Sequence, residues 1–225
     1  MLFGIWQYNA VYSQIDTEDL KGAWQSEKGV IIFAETYFSY ALFDSESKTF
    51  AGTYGGSWTI EGDDQQMMQV HEYNTFETEK VGQEVMINAD IKKQTLTLGE
   101  DVFTRLDAGQ PGKLEGAWLF SGRKNNGEVQ TRDTNLPRKT MKILSGTRFQ
   151  WIAYNVETGA FSGTGGGTYT TDNGQYVENI DFFSRDSSRV GASLTFNYEI
   201  VDGVWNHSGL NSRGEPLYEF WSPRQ

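Results

Sequence analysis

One stretch of this chain is written twice. Residues 36–59 read TYFSYALFDSESKTFAGTYGGSWT and residues 147–170 read TRFQWIAYNVETGAFSGTGGGTYT, every position displaced by 111 residues. Nine positions of the window are identical, among them Phe38/Phe149, Phe50/Phe161, Gly52/Gly163 and the paired glycines Gly55-Gly56/Gly166-Gly167. Others exchange like for like, as in Tyr40/Trp151, Phe43/Tyr154 and Trp58/Tyr169. A second echo precedes it: LKGAW at 20–24 returns as LEGAW at 114–118. The period of about 110 residues is far longer than the roughly 20–50 of solenoid repeats, and each copy has the size of a small domain with its own core. The expected organisation is a leader or signal-peptide remnant at 1–16, one unit at 17–108 and a second at 109–225.

Within each unit, apolar residues alternate with polar ones over short runs separated by Gly, Asn, Asp and Ser, the pattern of antiparallel strands. Eight strands are expected in the first copy (20–26, 29–35, 36–43, 49–60, 66–75, 84–91, 94–98, 101–106). Eight more follow in the second (114–121, 139–145, 147–154, 160–171, 175–184, 192–201, 203–209, 217–222). Turn signals sit between them at 44–48, 155–159, 61–64, 172–174 and Asp202-Gly203. Residues 107–113, DAGQPGK, suit a short linker. The polar, mixed-charge insertion near 123–137 reads as a long loop. Eight meandering strands are a natural number for closing a small barrel, which removes unpaired edges. The mid-strand glycine runs Gly55-Gly56 and Gly165-Gly166-Gly167 mark the bends such a barrel needs. The fold class is therefore all-β, two tandem eight-stranded antiparallel barrels.

Composition narrows the function. Net charge is −11, so phosphate attraction is weak and nucleic acid is not an expected partner. No apolar run approaches the ~18 residues of a membrane-spanning helix, so no transmembrane segment is expected. The absence of Cys excludes thiol catalysis and Cys-ligated zinc. Aromatic residues make up 14% of the chain, enough to fill or line two barrels.

The motif Gly22-Ala23-Trp24, repeated as Gly116-Ala117-Trp118, resembles the Gly-x-Trp that opens the first strand of lipocalins. The resemblance implies a calycin-type barrel in which each Trp closes the floor and a basic residue of the last strand packs over it. Arg105 and Arg224 are the candidates for that role. The GTGGGTY at 163–169 and the closing GEPLYEFW at 214–221 are also similar to lipocalin-like secreted proteins of Gram-negative bacteria, a group of unknown function. This likeness spans 18–223 and implies a periplasmic or secreted location, but no activity, since such folds host many.

Catalytic and metal motifs are absent. The two histidines, His71 and His207, do not align between copies; each is weighed as a core histidine over a haem or metal ligand. Glu72 and Asp181 do align, and an enzyme alternative, a hydrolase or isomerase, needs such an acid inside a barrel with a shifted pKa. The aromatics are the better guide. Phe38, Tyr40 and Trp58 in the first copy, with Phe149, Trp151, Tyr169, Phe196 and Tyr198 in the second, are expected to face the interiors and to line a pocket or fill a core. The leading expectation is a non-enzymatic protein holding a small apolar or amphipathic molecule inside a barrel, without cofactor or metal. A further alternative is a structural or interaction module with filled barrels, binding glycan or protein through its surface.

Overall fold

The computed structural model describes residues 15–61, 66–211 and 213–224; most of the expected leader and of the turn at 61–64 lies outside them. A single helical turn, α1 (Thr17–Leu20), is capped by the Asp16 side chain and leads into a first barrel. Its strands are β1 (Gly22–Gln25), β2 (Gly29–Phe33), β3 (Tyr37–Asp44), β4 (Thr49–Glu61), β5 (Gln66–Asn74), β6 (Glu84–Lys92), β7 (Thr95–Leu98) and β8 (Asp101–Asp107). Each pairs antiparallel with the next, and β8 returns to β1, closing the sheet.

The second barrel repeats this order. Its strands are β9 (Gly116–Asn125), β11 (Arg138–Leu144), β12 (Arg148–Asn155), β13 (Phe161–Asp172), β14 (Gln175–Phe183), β15 (Ser193–Val201), β16 (Val204–Leu210) and β17 (Pro216–Pro223), closed by pairing of β17 with β9. An extra strand, β10 (Glu128–Thr131), lies against β9. The insertion expected as a long loop is thus partly a β9–β10 hairpin. Its turn is Asn126-Gly127, with φ of 50° and 85°, the left-handed pair that a two-residue hairpin requires.

The repeated glycines do what the bends demand. Register shifts fall between Gly55 and Gly56 in β4 and between Gly166 and Gly167 in β13. A Cβ on Gly56 would lie 1.9 Å from the Val70 carbonyl oxygen, and one on Gly167 2.0 Å from that of Asn179. Only a residue without a side chain lets adjacent strands approach this closely.

Both floors are built alike. The indole Nε1 of Trp24 donates to the Leu20 carbonyl at 2.8 Å, and that of Trp118 donates to the Leu114 carbonyl at 3.0 Å. Arg105 stacks over Trp24, its guanidinium 4.0 Å from the ring centre, and donates to the Lys21 carbonyl. The expectation for Arg224 is corrected: it leaves Trp118 and crosses to the first barrel. There it lies 3.9 Å from the Tyr37 ring centre and grips Glu72 through two hydrogen bonds of 2.6 and 2.8 Å. The reason is placement. Pro223 occupies the register position facing Trp118, so Arg224 falls past the strand end.

The barrels share a buried apolar interface of Ile32, Tyr73, Met141, Ile143, Ile152 and Tyr154, among others. Its centre is polar. Ser39 donates to Gln150 Oε1 at 2.5 Å, and Gln150 Nε2 donates to Thr53 and Thr164 at 3.0 Å each. The linker is pinned by Asp107, whose carboxylate accepts from Ser145 Oγ, the Gly146 and Thr147 amides and Thr147 Oγ1 on the β11–β12 turn.

Candidate functional site: the interior of the second barrel

The duplication provides an internal comparison, because strand register pairs each interior position of one barrel with its counterpart in the other. In the first barrel Ile31, Met67, Gln69, Leu96, Leu98 and Phe103 are buried inside. The same register positions in the second are Lys142, Tyr176, Glu178, Trp205, His207 and Trp221, all buried as well. A mainly apolar, uncharged filling at these positions has been exchanged for a charged and aromatic one on the same scaffold. Barrel closure does not require these residues, since the first barrel closes without them.

Lys142 and Glu178 form an ion pair at 2.8 Å, their side chains 6% and 7% exposed. The ammonium also sits 4.9 to 5.2 Å from the ring centres of Trp205, Tyr176 and Trp221, close enough for cation–π attraction. Beside it, His207 Nδ1 is 3.3 Å from Glu219 Oε2, which also accepts from Trp221 Nε1 at 3.1 Å. Burial pushes the His207 pKa down, and the Lys142 charge adds to this, so the imidazole is neutral near pH 7. For Glu219 burial acts upward, but the His207 hydrogen bond and the Lys142 charge outweigh it and hold the carboxyl below its ordinary range. Among the described residues, three buried side-chain polar atoms have no hydrogen-bond partner of good geometry: Tyr176 OH, which does lie against the Glu178 carboxylate, Trp205 Nε1 and His207 Nε2. All three are in this barrel. Each such atom costs on the order of 1–3 kcal/mol when left unpaired, and buried polar groups are otherwise almost always paired.

Of these three residues His207 lines a pocket of about 130 Å³ that opens towards solvent, with Glu178, Arg189 and Asn211 as its other polar lining and Ile180, Phe183, Leu194 and Phe196 as apolar walls. Of the sequence-expected residues, Trp151 and Phe196 line this pocket. Phe149 and Tyr169 are buried in the core around it, and Tyr198 packs against that core. In the first barrel Phe38, Tyr40 and Trp58 lie in the interior cluster. Tyr40 also reaches a wider mouth depression of about 250 Å³. There the rim charges neutralise each other, Lys28 with Asp101 and Lys80 with Glu77. His71, its buried polar group, has both ring nitrogens engaged, with Gln69 and Asn74. A groove of about 420 Å³ between the barrels includes Arg224, which is already committed to Glu72 and Tyr37.

Neither acid of the enzyme alternative enters a barrel. Glu72 faces the interface, bound by Arg224 and by the Tyr154 hydroxyl at 2.6 Å. Asp181 lines a narrow cleft there with Ile32 and Phe43, its pKa raised by burial. Sequence reasoning missed Lys142, Tyr176, Glu178, Trp205, Glu219 and Trp221 and set His207 aside. The signal was present in the two aligned copies: Ile31 becomes Lys142 and Gln69 becomes Glu178, so that uncharged interior positions turn charged.

Compared with known proteins, the chain matches no protein-family model and no curated sequence.

Proposed function

We infer that this is a binding protein whose second barrel holds a small amphipathic molecule, the first serving as a packed support. The observation that carries this reading is the buried, unpartnered Nε2 of His207, a residue that lines a pocket, on a scaffold whose twin places a leucine at the same position. A concave site with apolar walls and a few convergent polar groups is the usual form of a small-molecule site. A lipocalin-like ancestry, suggested by the two Gly-x-Trp floors, and an extracytoplasmic location belong to the same proposal. So does the absence of a catalytic role, since Glu72 and Asp181 are turned outward.

Native mass spectrometry of the protein purified from its own host tests it, with Ala192→Trp, a substitution within the pocket lining, as the comparison. A retained mass that disappears on denaturation and is lost in Ala192→Trp is the expected result. A clean apo mass, or a retained mass indifferent to Ala192→Trp, contradicts the reading.

A further inference from the structure

We propose that the second-barrel pocket selects an uncharged molecule bearing a hydrogen-bond donor, a hydroxyl above all, on a compact apolar body about the size of one six-membered ring. This rests on the binding reading above and adds the chemistry of what is bound.

The inner end of the pocket offers acceptors. Glu219 is ionised and can only accept, so the imidazole proton of neutral His207 sits on Nδ1, and Nε2 carries a lone pair. That nitrogen is buried and unpartnered. Of the other polar lining groups, the Glu178 carboxylate is buried, whereas Arg189 and Asn211 are only half-buried. A ligand reaching them has to donate. An anion would meet the Glu178 carboxylate and the His207 lone pair, and the cationic residue in the lining, Arg189, is already paired with Asp186 at 3.4 Å. A cation is disfavoured for the converse reason. The position among Tyr176, Trp205 and Trp221 where aromatic faces would stabilise it is taken by the Lys142 ammonium, and burying a second positive charge beside the first is costly. A neutral donor avoids both penalties.

Size follows from the pocket volume of about 130 Å³. A dry apolar cavity of about 150 Å³ accommodates benzene. Ile180, Phe183, Leu194, Phe196 and Leu217 supply apolar walls for such a body.

Isothermal titration calorimetry of the full chain at pH 7 with cyclohexanol, cyclohexylammonium and cyclohexanecarboxylate tests this, since the three probes differ chiefly in the polar group. Cyclohexanol is expected to bind at least about tenfold more tightly than either ion. His207→Leu, which installs the residue found at the matching position of the first barrel, is expected to weaken cyclohexanol about tenfold while leaving the ions' order unchanged. Either ion binding as tightly as the alcohol overturns the inference but leaves the pocket a binding compartment. Cyclohexanol affinity unchanged in a folded His207→Leu also overturns it. No binding of any probe overturns both readings.

Discussion

At the scale of single residues, the buried Lys142–Glu178 pair is the sharpest departure from what the fold needs. Its counterparts are Ile31 and Gln69, so the scaffold accepts an uncharged pair at these positions. Removing one charge leaves the other largely buried without its partner, which typically costs about 3–5 kcal/mol, whereas replacing both is often neutral or stabilising. Lys142→Ile alone should therefore lower the unfolding free energy by about 3 kcal/mol or more. Lys142→Ile with Glu178→Gln should lie within about 1 kcal/mol of wild type or above it. Urea denaturation of the three proteins checks this; a double variant as unstable as the single would mean that the pair itself holds the barrel together. His71 makes a second prediction. Burial pushes its pKa down to about 4, below the ordinary 6.5, so the unfolded chain takes up the proton first. Stability linked to His71 is fully present above about pH 6.5 and is lost as pH falls towards about 4, amounting to roughly 3 kcal/mol. Unfolding free energies of wild type and His71→Gln, measured between pH 7 and 4, should converge as the pH drops.

At the scale of elements, glycine at a turn and glycine at a bend fail differently when substituted. Gly203 closes the β15–β16 hairpin with φ of 77° and open space around it. Gly203→Ala should cost only the backbone preference, about 1 kcal/mol. Gly167, by contrast, faces the Asn179 carbonyl at a distance no Cβ can share, so Gly167→Ala has to push β13 off β14 and should cost several times as much. Thermal melts of the two variants make the comparison, and equal shifts would contradict the steric account. These glycines also show what the sequence made legible. Period-two alternation and glycine punctuation located the strands of both barrels to within a few residues, because strand pairing and turn chemistry are local. The β9–β10 hairpin escaped although Asn126-Gly127 is a strong hairpin signal, because the surrounding polarity reads as loop when no face is buried; all of β10 is exposed. The candidate site was less legible still. Phe196 and Trp151 stand out as aromatics on an inward face, but Lys142 and Glu178 look like ordinary surface charges until register brings β11, β14 and β16 around one interior.

At the scale of the whole molecule, the barrels meet as two subunits of a dimer would. Ser39 and Gln150 are equivalent positions, and they touch each other. Phe43 stacks on Phe182 with ring centres 4.5 Å apart, and the equivalent Tyr154 packs on Tyr73 at 4.7 Å. These contacts from first barrel to second are thus answered in the opposite sense, the signature of an isologous interface. The symmetry breaks at Arg224, which ties the end of the second barrel to Glu72 and Tyr37 of the first, and at Asp107, which fixes the linker to the β11–β12 turn. An interface with this buried apolar area and these buried hydrogen bonds should make the two barrels unfold as one unit, because exposing it strips partners from both. Scanning calorimetry of the wild type should accordingly give one transition whose calorimetric and van't Hoff enthalpies agree. Arg224→Ala leaves Glu72 and the Tyr154 hydroxyl without their shared partner at the edge of that interface. It should cost roughly 2–3 kcal/mol and, joined with Gln150→Ala at its centre, should split the transition in two. The first barrel, with its apolar filling, should melt at the higher temperature, and the second, with its unpaired interior atoms, at the lower. A double variant that still melts in a single sharp transition near the wild-type temperature would mean that the two barrels are coupled through the remaining apolar contacts alone.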